Sequence, residues 1–161
     1  MKQEAVVVYG AGISGRGAVQ VLAKRGQQVY LYNDTPCQLD DETTEAMVSV
    51  GGNLVIGAEK LPMLFDATMM MVLSPGVPCD NPNVLAAEAA GLEVISEVEL
   101  AYRLYAGHMA AITGTNGKTT TTTIVGEMLK RLPVKSAVGG NIGLALSKEV
   151  ENLPADGWMA A

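Results

Sequence analysis

An α/β fold with parallel sheets is predicted by three features of this 161-residue sequence. Short apolar runs alternate with amphipathic stretches from Ala5 onward, which is the pattern of successive βαβ units. One glycine-rich loop follows the first apolar run at Gly10, and a second, carrying a lysine, follows a later run at Gly114. Each loop thus falls where a strand gives way to a helix, the position at which such folds hold anions.

The elements follow in order. Residues 5–9 are a predicted strand, and Gly10, Gly12 and Gly15 set a G-x-G-x-x-G turn that opens a helix over 13–25. A strand over 28–32 comes next, with Asp34 just past its end, where an acidic residue reaches a ribose hydroxyl in dinucleotide sites. From these features alone, a dinucleotide and some other nucleotide are equally good occupants. A helix over 41–50, strands over 53–56 and 68–73, a helix over 82–90 and a strand over 93–95 continue the alternation. Met69, Met70 and Met71 read as core filler in a buried strand. Ser96 and Glu99 form a capping box that starts a helix over 97–105.

Gly107 stops that helix, and His108, beside it, reads as a junction residue rather than a catalyst. A domain boundary is therefore placed there. Residues 1–107 are expected to form a Rossmann-like domain with a parallel sheet, and residues 108–161 the beginning of a P-loop ATPase α/β domain. The second part is predicted as a strand over 109–113, the loop 114–117, a helix over 118–132, a strand over 135–138, a glycine turn, a helix from about 144 to 150 and an apolar stretch over 157–161.

Bulk properties narrow the function. A hydrophobic content of 48% excludes a disordered chain, and a net charge of -6 argues against nucleic acid or an anionic membrane as partner. Cys37 and Cys79 are far apart and not in metal-ligand spacing, which points to reduced thiols and a cytoplasmic protein. No apolar run approaches the roughly 20 residues of a membrane span.

The loop Gly114-Thr115-Asn116-Gly117-Lys118-Thr119-Thr120 carries the most specific chemistry. Its backbone N–H groups can crowd around phosphate oxygens, Lys118 supplies a point charge, and the Thr119 hydroxyl can ligate Mg²⁺. Ile112 stands where the common form of this loop has its first glycine, but the shorter G-x-x-G-K-T is intact. Ser74-Pro75-Gly76-Val77-Pro78 follows the fourth strand at the sheet edge where ligands collect, although alone it reads more readily as a plain turn. Asn141, within Gly139-Gly140-Asn141-Ile142-Gly143, is open to two readings: a ligand contact or a helix N-cap.

Taken together and in this order, these segments resemble the Mur ligases of peptidoglycan synthesis, most closely the D-glutamate-adding branch. The resemblance implies that Ser14, Asp34 and Thr35 contact the uridine diphosphate part of UDP-N-acetylmuramoyl-L-alanine, with Ser74, Gly76 and Asn141 along its diphosphate and sugar. It implies that Gly114, Thr115, Asn116, Gly117, Lys118, Thr119 and Thr120 hold ATP, and that Thr119 ligates Mg²⁺, with Lys118 and Thr119 the catalytic pair. The implied reaction joins D-glutamate to the substrate through an acyl phosphate. Family members have an acidic metal ligand after the strand corresponding to 157–161, and a C-terminal domain. The chain is accordingly expected to be the N-terminal portion of a longer ligase, inactive without the remainder. Two alternatives compete: an NAD-binding Rossmann oxidoreductase, and a non-catalytic nucleotide-binding module.

Overall fold

The five apolar runs of the N-terminal part form five parallel strands in the computed structural model, which describes residues 5–139 and 145–161. They are β1 (Ala5–Tyr9), β2 (Val29–Asn33), β3 (Leu54–Ile56), β4 (Thr68–Leu73) and β5 (Glu93–Ser96), in spatial order β3-β2-β1-β4-β5. The connecting helices are α1 (Ile13–Lys24), α2 (Asp41–Ser49), α3 (Pro62–Phe65) and α4 (Pro82–Ala89). Strand order reverses between β1 and β4, which pair in register through Tyr9 and Leu73. The loops leaving those two strands diverge there and open a crevice at the carboxyl edge.

Alternation along the strands explains why both sheet faces are covered. Val6, Val8, Val29, Leu31 and Val72 pack with Val19 and Leu22 of α1 and Met47 of α2. Their neighbours Val7, Tyr9, Tyr32, Met71 and Leu73 point the other way, onto Leu61 and the α4 residues Val84 and Ala87. A one-residue slip would exchange these faces, and because every residue of β1 is apolar and buried, side-chain size rather than polarity separates the two registers. Of the three methionines, Met71 is buried and Met70 packs at the edge of the core, whereas Met69 is exposed.

The chain continues through α5 (Glu97–Leu104), β6 (His108–Ala110), α6 (Lys118–Leu129), β7 (Ser136–Val138), α7 (Leu146–Val150) and β8 (Trp158–Ala160). The last three strands make a second parallel sheet in the order β6-β8-β7. Its core joins Met159 of β8, Leu146 and Val150 of α7, and Ala101 of α5. Helix α5 therefore serves both sheets, with Leu100 in the first core and Ala101 in the second. Helix α7 also docks on α1, where Arg25 pairs with Glu151 at 2.7 Å, and Lys148 reaches Glu42 of α2 at 3.1 Å. A side chain at Gly17 of α1 would collide with Ala145 at the start of α7, so the two helices meet closely there. His108 stacks on Trp158 with ring centroids 4.8 Å apart, a structural role.

Most boundaries shift by a residue, and the larger departures from expectation fall in three places. Strand β6 ends at Ala110 rather than at 113, although Ile112 still donates its N–H to the Ala161 carbonyl at 2.6 Å. Helix α6 ends at Leu129 because Arg131 and Leu132 close into tighter turns before Pro133, which disfavours helix in the residue preceding it. Helix α3, four residues long with Pro62 in its first turn, was not anticipated.

Candidate functional sites at the two glycine loops

The first glycine loop leaves β1 beside the strand-order reversal. A side chain at Gly15 would collide with the Gly10 carbonyl, so the loop closes this tightly only with glycine there. Ser74 Oγ donates to that same carbonyl at 2.9 Å, tying the loop after β4 to the loop after β1. In this arrangement the Ser74 hydroxyl proton is committed to Gly10, and toward a ligand the oxygen can only accept. The loops enclose a cavity of about 680 Å³, and Ser14, Asp34, Thr35, Ser74 and Gly76 all border it. Five residues singled out from the sequence thus meet in one place. Asn141 lies outside the described residues.

Residues that sequence reasoning missed hold this site together. Asn33 accepts from the Ala11 N–H at 3.1 Å and donates to the Thr35 carbonyl at 2.8 Å, bracing the glycine loop against the loop after β2. Asp34 accepts from Tyr9 Oη at 2.6 Å, from Tyr32 Oη at 2.8 Å and from Asn83 Nδ2 at 3.1 Å. Burial raises the phenol of each tyrosine above its ordinary value, and the hydrogen bond to Asp34 raises it further. Both phenols therefore stay protonated donors. Only a polar side chain at position 83, followed by an apolar helix face, hinted at such a role.

The second loop precedes α6. Gly117 has φ +75°, the left-handed region that favours glycine, and this bend starts the helix. Lys118 Nζ donates to the Gly114 carbonyl, which folds the lysine over its own loop. The first turn of α6 has no side-chain cap and no acidic residue, and the same is true of α1 after the first loop. The other described helices of eight residues or more are capped: α2 by Asp40, α4 by Asn81 and α5 by Ser96. The helix ends at the glycine loops therefore keep free N–H groups and positive partial charge for an anion.

A second cavity of about 670 Å³ runs from Lys118, Thr119 and Ile112 to Ser74, Pro75 and Val77. Those last three residues also border the first cavity, so one short segment after β4 separates and joins the two. Thr115, Asn116 and Thr120 are exposed on the loop and the first turn of α6. Thr119 offers a hydroxyl for Mg²⁺, and among the described residues no group of three His, Cys, Asp or Glu could hold a metal.

Glu97 borders the same cavity and was read from sequence only as part of a capped first turn. It is buried, and its Oε1 accepts from both Ser147 N and Ser147 Oγ at 2.7 Å. Burial pushes its carboxyl above the ordinary value, with the hydrogen bonds from Ser147 and Leu146 acting in the opposite direction. No described helix is long and apolar enough to cross a membrane.

These features define a parallel α/β protein with two uncapped glycine loops facing adjoining cavities. Residues 4–96 match the Mur ligase MurD-like N-terminal domain, and residues 112–156 match the Mur ligase middle domain. The chain belongs to the Mur ligase family. It is 40% identical over 161 residues to the UDP-N-acetylmuramoylalanine–D-glutamate ligase of Lachnospira eligens, covering all of this chain and 36% of that protein. The ligase of the same name from Acidobacterium capsulatum is 39% identical over 158 residues, covering 98% of this chain and 34% of that one. The chain spans about a third of the length of these relatives. Among solved structures, the fold resembles the UDP-N-acetylmuramate:L-alanyl-gamma-D-glutamyl-meso-diaminopimelate ligase from Neisseria meningitides, with a TM-score of 0.54 and 18% identity over 98% of this chain and 52% of that one. It also resembles a pseudomurein peptide ligase type C from Methanothermus fervidus, with a TM-score of 0.50 and 21% identity over 98% of this chain and 33% of that one.

Proposed function

We propose that this chain binds UDP-N-acetylmuramoyl-L-alanine at the first cavity and ATP with Mg²⁺ at the second, as part of a cytoplasmic ligase that adds D-glutamate. Residues 1–107 form the uridine-nucleotide domain in this reading, and residues 108–161 contribute the phosphate loop of the ATPase domain. The observation that carries it is the segment from Ser74 to Val77, whose Ser74, Pro75 and Val77 border both cavities. A substrate anchored by its diphosphate at the first loop can extend past this segment and present a carboxylate near Lys118.

The chemistry follows from charge. A carboxylate oxygen of the L-alanyl group attacks the γ-phosphorus of ATP, the bond to the β,γ-bridging oxygen breaks, and ADP leaves. The D-glutamate amine then displaces phosphate from the acyl carbon and loses a proton to form the amide. Both reactants of the first step are anionic, so Lys118, the loop amides and the α6 N-terminus have to offset repulsion and charge on the transferred phosphoryl group. Mg²⁺, held with Thr119, supplies further neutralisation when bound.

The NAD alternative is not favoured by Asp34. Holding both ribose hydroxyls of a dinucleotide takes two acceptor positions on that carboxylate, whereas here Tyr9, Tyr32 and Asn83 leave Asp34 only one. Lys118→Ala tests the division between the sites. Calorimetry is expected to show ATP binding lost and UDP binding unchanged within about twofold. Loss of UDP binding in the same variant would refute two separate sites.

A further inference from the structure

Asp34 stands at the rim of the first cavity with its carboxylate held from three directions. Two of the donors cannot follow a moving carboxylate. The rings of Tyr9 and Tyr32 are 1% and 0% exposed and meet edge to face, with centroids 4.8 Å apart and planes at 68°. The core fixes them, so Asp34 must conform to their hydroxyls. Asn83 Nδ2 donates to Asp34 and also to Tyr32 Oη, each at 3.1 Å, which directs the phenol proton toward the carboxylate. A carboxylate offers about four acceptor positions. Tyr32 and Asn83 use those of Oδ1, and Tyr9 uses one of Oδ2, leaving a single position on Oδ2.

We propose that Tyr9, Tyr32 and Asn83 are positioning residues that lock Asp34 so that it presents one acceptor, and no more, to a uridine nucleotide in the first cavity. This rests on reading that cavity as the uridine site. An exposed aspartate normally loses rotamer freedom when a ligand takes hold of it; one already fixed by the core binds without that cost. A single acceptor takes a single N–H or O–H donor, so the locked carboxylate selects a ligand by where one donor lies. The tyrosines sit at the ends of β1 and β2, and Asn83 is on α4. The position of the acceptor is therefore set by the sheet and not by the loop that carries Asp34.

The test is a two-by-two set measured by calorimetry with UDP as probe: the unaltered chain, Tyr32→Phe, Asp34→Ala and the double variant. Tyr32→Phe is expected to weaken UDP about three- to tenfold in the unaltered background, the range of one hydrogen bond, and to change nothing when Asp34 is already absent. Asn83→Ala leaves both buried rings in place and is expected to give a smaller loss with the same dependence on Asp34. It keeps the test decisive should Tyr32→Phe fold poorly. An equal loss in both backgrounds, or none in the first, overturns the inference while leaving the uridine site standing. Absence of UDP binding by the unaltered chain removes the site and the inference together.

Discussion

Single residues here do more than their sequence neighbours suggest. Glu97 was legible only as the start of α5, because its partner Ser147 lies 50 positions away and only the docking of α7 brings the two together. Its carboxyl is raised by burial above the ordinary 4.5, so the folded state holds the proton more tightly than the unfolded chain does. Its contribution to stability is then full below about 4.5 and is lost as pH rises through the raised value. Glu97→Gln keeps an acceptor for Ser147 without a buried charge, and is expected to be at least as stable at neutral pH with a flatter stability profile. Glu97→Ala strands two donors and should cost about 1–3 kcal/mol. Urea denaturation across pH 4–8 checks both; a Gln variant clearly weaker than the parent at pH 7 would show that the charge itself is needed. Asp34 escaped a full reading for the same reason: its position was visible, but Tyr9 and Asn83 are 25 and 49 positions distant.

Secondary-structure elements were more legible than these contacts, because periodicity and caps are local signals. The continuous apolar runs of β1 and β4 and the Ser96 cap of α5 place those elements within a residue or so of where they are found. Helix α3 was hidden because four residues contain scarcely one turn of pattern. Capping also divides the helices by role, since α1 and α6 leave their first turns open while α2 closes its own with Asp40. The Asp40 carboxyl accepts from Thr43 N at 2.8 Å and pairs with Arg16 at 3.1 Å. The Thr43 backbone N–H, then the Thr43 hydroxyl and Arg16, lower it from 3.8 to about 2. Its stabilisation is present above about 3.8 and is lost as pH falls through about 2. Asp40→Ala is expected to cost about 1 kcal/mol at pH 7 and less below pH 2, where the protonated carboxyl keeps only a neutral cap, whereas Asp40→Asn keeps most of the cap at both. Thermal melts at the two pH values decide; a loss in Asp40→Ala that is independent of pH would show that the charge adds nothing to the neutral cap.

At the scale of the whole molecule, two parallel sheets share α5, and α7 locks the second against α1 of the first. That junction brings the crevice at the β1–β4 reversal beside the loop before α6, so that the segment after β4 borders both cavities. Sequence order alone could place each loop at a strand end, but not the two within reach of one molecule, since that depends on how α7 docks. The central claim is that the two loops serve two different phosphate-bearing ligands at once. Its most direct test is calorimetric titration of the chain with UDP-N-acetylmuramoyl-L-alanine, first alone and then with a non-hydrolysable ATP analogue and Mg²⁺ at saturation. Two independent one-to-one sites are predicted, each still filled when the other ligand is present; a single site for which the two compounds compete would contradict the account.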